Sequence, residues 1–80
     1  MVRHLAREIE QLKRRLLHLS AVVEENLQRA VDAILARDET LAAQAIERDR
    51  EIDRMEVDLE EECLKVLALH QPVAADLRYI

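Results

Sequence analysis

From Val2 to Gln71 the chain contains neither a glycine nor a proline; the single proline of the eighty residues is Pro72, and there is no glycine at all. Glycine opens left-handed backbone and proline interrupts helices, so so long a stretch without either favours long, unbroken helices. The same absence excludes a phosphate-cradling P-loop and a GxGxxG dinucleotide turn, which need backbone without a Cβ.

Helix formers dominate and no period-two alternation persists, so the reading is all-α. Leu5, Ile9, Leu12, Leu16, Leu19 and Val23 recur at alternating spacings of four and three, and the seam continues through Asn26, Ala30 and Ala33. A second stripe of Leu27, Val31, Ile34 and Leu35 widens the apolar face, which suits a bundle better than a two-stranded coiled coil. The periodicity predicts a first helix from about Val2 to Ala36.

The segment Arg37-Asp38-Glu39-Thr40 reads as a short connection. It supplies a basic residue for the last turn of one helix, then an Asp to cap the next and an acid for its first turn. A second helix is expected from about Glu39 to His70, antiparallel to the first, each roughly 45–50 Å long at about 1.5 Å per residue. Pro72 disfavours helix at Gln71 and suits the first position of a third helix. That helix would begin Pro72-Val73-Ala74-Ala75-Asp76 and continue through Leu77, Arg78, Tyr79 and Ile80 without a cap or breaker. The chain therefore reads as the N-terminal part of a longer bundle.

Composition narrows the function classes. Twelve Lys and Arg against seventeen Asp and Glu give a formal charge of −5, and Tyr79 is the single aromatic. An acidic chain without stacking residues is a poor single-strand binder, so nucleic acid is not an expected partner. Cys63, the one cysteine, can form no internal disulfide or CxxC pair, which fits a reducing, cytoplasmic setting. No apolar run reaches the roughly eighteen residues of a membrane-spanning helix, and Met1-Val2-Arg3-His4 lacks a signal peptide's apolar region. So short a chain sits near the lower limit for an independent core, so partner helices are expected, in the same chain or in a homo-oligomer.

Nine of the seventeen acids lie between Glu47 and Glu62, opposed only by Arg48, Arg50 and Arg54, a local charge of −6. At about 100° per residue, setting Asp49 to zero puts Asp53, Glu56 and Glu60 at about +40°, −20° and +20°. The four carboxylates share one face, close to Ala42, Ala45, Cys63 and Leu67, and are expected to point where a core should be. Glu47, Glu51, Asp58 and Glu62 fall on the other side. A ladder of like charges needs protons, cationic partners or a metal ion. Oxygen ligands suit hard cations, and bundle cores also hold iron or manganese between carboxylates of facing helices. Spacing alone leaves open a second reading, salt bridges to a neighbouring helix or plain solvation.

The other polar residues carry less. His4 and His18 read as surface positions, and His70 as a cation at the end of its helix or a hydrogen-bond donor to its last carbonyls. Cys63 reads as a small buried hydrophobe, since no histidine or helix N-terminus activates it. Lys13-Arg14-Arg15 could meet acidic lipid or a partner, although Glu10 is placed to pair with Arg14. No nucleophile sits beside a base, and no Glu-x-x-His pair of a carboxylate-bridged metalloenzyme occurs. The chain is not expected to be an enzyme.

The stretch from Asp38 to Ile80 resembles the PhoU family of phosphate-uptake regulators. The resemblance is carried by Asp38, Leu41-Ala42, Ile46, Asp49-Arg50-Glu51-Ile52-Asp53, Glu56, Glu61-Glu62-Cys63-Leu64 and above all Gln71-Pro72-Val73-Ala74-Ala75-Asp76-Leu77-Arg78. Helix one fits through Leu12, Leu16, Val23-Glu24, Leu27 and Ala30-Val31. The resemblance implies two repeated three-helix bundles, of which this chain would supply helices one and two and the start of helix three in the first repeat.

It also implies metal-binding motifs of the form E/D-x-x-x-D, matched here by Asp49 and Asp53 with Glu56 as a further candidate. Iron, manganese, magnesium or zinc are the candidate ions. The implied function is regulatory: an adaptor between the ATPase subunit of a phosphate ABC transporter and a sensor histidine kinase, without catalysis of its own. The alternative from another class is a structural helical oligomerisation module, in which the apolar seam rather than the acids is the working surface.

Overall fold

The computed structural model describes residues 2–70, with side chains from residue 4 onward. Two helices, α1 (Val2–Ala36) and α2 (Glu39–Leu69), form an antiparallel hairpin measuring 53 × 19 × 19 Å, and among the described residues there is no strand. The expected third helix, from Pro72, lies outside the described residues.

The reversal between the helices uses only Arg37 and Asp38. Arg37 adopts the left-handed conformation at φ 52°, and its N–H donates to the Ile34 carbonyl at 3.3 Å. The Asp38 N–H reaches the Ala33 carbonyl at 3.0 Å. These two bonds make a Schellman closure, in which glycine is the usual left-handed residue. Arg37 thus stands beyond the end of α1 and is not the expected basic residue of its last turn.

Asp38 serves both helices. At φ −92°, ψ 102° it is extended, its carboxylate accepts the Leu41 N–H at 3.0 Å, and its carbonyl accepts the Ala42 N–H at 3.0 Å. It satisfies an orphan donor of α2, and Glu39 adds a negative charge to the first turn, where the helix dipole favours it.

The buried cluster is Leu19, Val22, Ile52 and Leu59, with Leu12, Met55 and Cys63 packed against it. Burying each large aliphatic side chain contributes about 1.5–3 kcal/mol, so this is a small core. Along α1 the residues nearest α2 are Leu5, Leu12, Leu19, Asn26 and Ala33, one per heptad, flanked by Glu8, Val22 and Arg29. The expected seam members Ile9, Leu16 and Val23 instead remain 39%, 55% and 38% exposed. The shared heptad positions are those of the spacing argument; the helix is turned so that the intervening row is 8, 22 and 29 rather than 9, 16 and 23. A four-and-three pattern is compatible with either row, and the broad apolar face of α1 exceeds what one neighbour can cover.

Two polar side chains cross between the helices. Asn26 is buried and donates from Nδ2 to the Ala45 carbonyl at 3.0 Å, while its Oδ1 accepts from Arg29 Nη1 at 3.3 Å. At the open end His70, also buried, places Nε2 2.8 Å from Glu8 Oε2, and its backbone N–H bonds the Val66 carbonyl. The His70 ring therefore reaches across to α1 rather than turning back on the last carbonyls of its own helix.

Candidate functional site

The α2 residues that meet α1 are Ala45, Ile52 and Leu59, seven apart, with Arg48, Met55 and Glu62 half-buried on one flank. Asp49 and Glu56 occupy the opposite flank, four residues past the seam positions 45 and 52 and one past the flanking positions 48 and 55. Because each residue advances about 100°, that single step carries a side chain from one edge of the interface to the other. Asp49, Asp53, Glu56 and Glu60 are all exposed in the hairpin. The ladder does not point into the contact between α1 and α2, as the spacing argument expected. Glu62, assigned by the same argument to the solvent side, is half-buried.

Asp49 and Glu56 border an open groove along this flank. Its α1 wall is Val23, Leu27 and Ala30, and Asn26, Ala45 and Ile52 lie between the helices. Asp53, one turn from Asp49, lines a smaller depression with Arg54, Val57 and Asp58. The groove continues toward the connection past Ala33, Ile34 and Ile46, where Ile34 and Ile46 are 75% and 61% exposed. One long side of the hairpin therefore combines an apolar wall from α1 with an acidic wall from α2.

Several acids outside that wall are paired within their own helix. Glu25 pairs with Arg29 at 3.5 Å, Glu47 with Arg50 at 3.3 Å, and Arg48 with Glu51, each within its own helix. Among the described residues Asp49, Asp53, Glu56 and Glu60 take part in no ion pair. Adjacent carboxylates without counter-charges repel, and a cation brought alongside would relieve that repulsion.

As donors for a hard cation the pair Asp49 and Asp53 fits in part. Carboxylate oxygens one turn apart on a helix are suitable in kind, yet calcium and magnesium take about six or more oxygen ligands. Among the described residues no three His, Cys, Asp or Glu side chains converge on one point. The remaining ligands would have to come from another element laid over the open side.

The other candidates fall as follows. His4 and His18 are exposed, and Cys63 is half-buried against the core, as expected of a small hydrophobe. Glu10 lies 3.8 Å from Arg14. Glu8 and Asn26 carry cross-helix bonds that the sequence reading did not assign to them. A signal was present: Glu8 stands three residues after Leu5 and four before Leu12, which is a seam position.

A helical hairpin with a capped two-residue reversal and one open, acid-edged side is the class defined by this fold. Its residues 16–80 match the PhoU domain. The chain belongs to the PhoU family.

A Pseudomonas putida protein called a phosphate-specific transport system accessory protein PhoU homolog is 41% identical over 73 residues, covering 91% of this chain and 28% of that protein. An Aquifex aeolicus homolog is 37% identical over 76 residues, covering 95% and 34%. The Escherichia coli K12 accessory protein PhoU is 34% identical over 73 residues, covering 91% and 30%. The chain thus spans about a third of the length of the curated relatives it matches. No solved structure matches it. Among the described residues no helix is long and apolar enough to cross a membrane.

Proposed function

We propose that this chain serves in a regulator of phosphate uptake and of the phosphate-starvation response. It acts in the cytoplasm as an adaptor between the ATPase subunit of a phosphate ABC transporter and a sensor histidine kinase, by contact rather than by catalysis. The observation that carries the reading is the family match over residues 16–80, together with relatives whose names place them in phosphate-specific transport.

Asp49 and Asp53, with Glu56 a turn further on, are the carboxylates proposed to hold a metal ion, with iron, manganese, magnesium or zinc as candidates. A bound cation would supply positive charge to a wall that has no ion pair of its own and would join α2 to the element that completes the ligand set. The open groove beside Asp49 and Glu56 gives such an element room to lie.

Deleting the gene and following a phosphate-starvation reporter in high phosphate tests the regulatory reading. Derepression, reversed by the wild-type gene, is expected; unchanged repression would overturn it. Elemental analysis of the purified protein beside Asp49→Ala/Asp53→Ala tests the metal separately, and equal metal content in the two would remove that part alone.

A second reading, a structural oligomerisation module, is favoured by the exposed apolar residues Leu16, Leu27, Ile34 and Leu35. Light scattering separates the two: concentration-dependent assembly with a reporter indifferent to the deletion would favour the module.

A further inference from the structure

We propose that the part of α1 between Glu10 and Glu24 is a docking surface for an acidic segment of a protein partner. The chain holds seventeen acids and a net charge of −5, yet no acid falls between those two residues, where Lys13, Arg14, Arg15 and His18 lie. Arg29, Arg48 and Arg50 are each matched by an acid within a helical turn. Here Arg14 alone is paired, to Glu10 at 3.8 Å with its side chain 78% exposed, and a pair so open to water contributes little. Lys13 and Arg15 form no ion pair among the described residues.

The cations border a cleft. Arg14, Arg15 and His18 stand along its α1 side, Met55 and Asp58 along its α2 side, and Leu19 lies between the helices. Asp58 is a single acid along this cleft, facing the guanidinium groups of Arg14 and Arg15, so an excess of positive charge remains there. Guanidinium groups bind carboxylates through paired N–H donors, and a thioether beside an apolar floor adapts to different apolar side chains. The matching ligand is a peptide segment bearing carboxylates next to an apolar side chain.

A lipid surface would ask for a broad apolar face continuous with the cations. Beside the cations Leu17 is 70% exposed, one turn from Lys13 and Arg14, while the exposed row Ile9, Leu16 and Val23 runs along the acid-edged side, so the apolar surface continuous with the cations is narrow. Nucleic acid would ask for stacking aromatics, and the one aromatic of the chain is Tyr79. The cleft lies on the other long side from Asp49 and Glu56, so the inference stands or falls independently of the metal and of the phosphate reading.

The test is an NMR titration of the eighty-residue protein with a synthetic peptide of repeated Glu-Glu-Leu-Ala units, following the His18 ring and the Met55 methyl. Saturable shifts at both are expected. They should weaken about ten-fold, or 1.4 kcal/mol, in Arg14→Gln/Arg15→Gln, and persist in Asp49→Asn/Asp53→Asn. The same peptide with Gln for Glu should leave both signals in place. Absence of shifts, or shifts undiminished in the arginine variant, overturns the proposal. So does arginine-dependent binding to phosphatidylserine vesicles with no response to the peptide, which would make the patch a membrane contact.

Discussion

His70 Nε2 and Glu8 Oε2 lie 2.8 Å apart although 62 positions separate them in sequence, and this bond closes the end of the hairpin opposite the reversal. The His70 side chain is only 9% exposed and that of Glu8 31%, so each replaces hydration largely with the other. Removing one partner strands the second, which costs about 1–3 kcal/mol. Glu8→Ala and His70→Ala should therefore raise amide exchange near residues 4–12 and 62–70 while leaving the region around Asn26 and Ala45 protected. Uniform loss of protection along both helices would refute a local role.

The reversal offers a gain as well as a loss. A left-handed residue with a Cβ costs about 1–2 kcal/mol relative to glycine, and Arg37 occupies that conformation. Arg37→Gly should raise the thermal midpoint, whereas Asp38→Ala should lower stability by about 1 kcal/mol through loss of the cap to Leu41. Thermal unfolding followed by circular dichroism reads both signs.

Ile52 is 4% exposed at the centre of the four-residue core, while Leu17 is 70% exposed. Ile52→Ala should cost about 2–5 kcal/mol and Leu17→Ala less than about 0.5 kcal/mol. In so small a core the first change is expected to unfold much of the population at ambient temperature. A chemical-denaturation midpoint equal to wild type would show that α2 does not pack as described.

Asn26 is buried between the two helices and donates to the Ala45 carbonyl, a bond that only one register allows. Asn26→Leu should keep helix content but lose a single arrangement, because an apolar residue fits several registers and a buried amide fits one. Broadened spectra or a mixture of assembly states is the expected readout; a single sharp set of resonances would argue that the core alone fixes the register.

The hairpin was legible because its signals are local. The absence of breakers before Pro72, the heptad-spaced Leu5, Leu12, Leu19, Asn26 and Ala33, and Asp38 with Glu39 at a helix start all act within a turn or two. The rotation of each helix about its axis was not local. Rows 8, 22, 29 and 9, 16, 23 of α1 satisfy one spacing equally well, and the choice depends on how the neighbour lies against it. The same ambiguity placed Asp49 and Glu56 on the inner face when they occupy its edge. Glu8 to His70 was hidden for a different reason: the spacing puts Glu8 beside the seam, but nothing in it pairs that residue with one 62 positions away. The acid row was legible as a row, while its partner was not, since nothing within one helix states what a second element brings.

The entire change of direction is made by one left-handed residue and one capping carboxylate. Were Arg37 to take helical angles, the N–H groups now used in the closure could bond four residues back, and α1 would run into α2 as a single rod of about 100 Å at 1.5 Å per residue. Two such rods side by side would meet through the same rows of residues, so these two positions keep within one chain the contacts that an unbent chain would have to find in a neighbour.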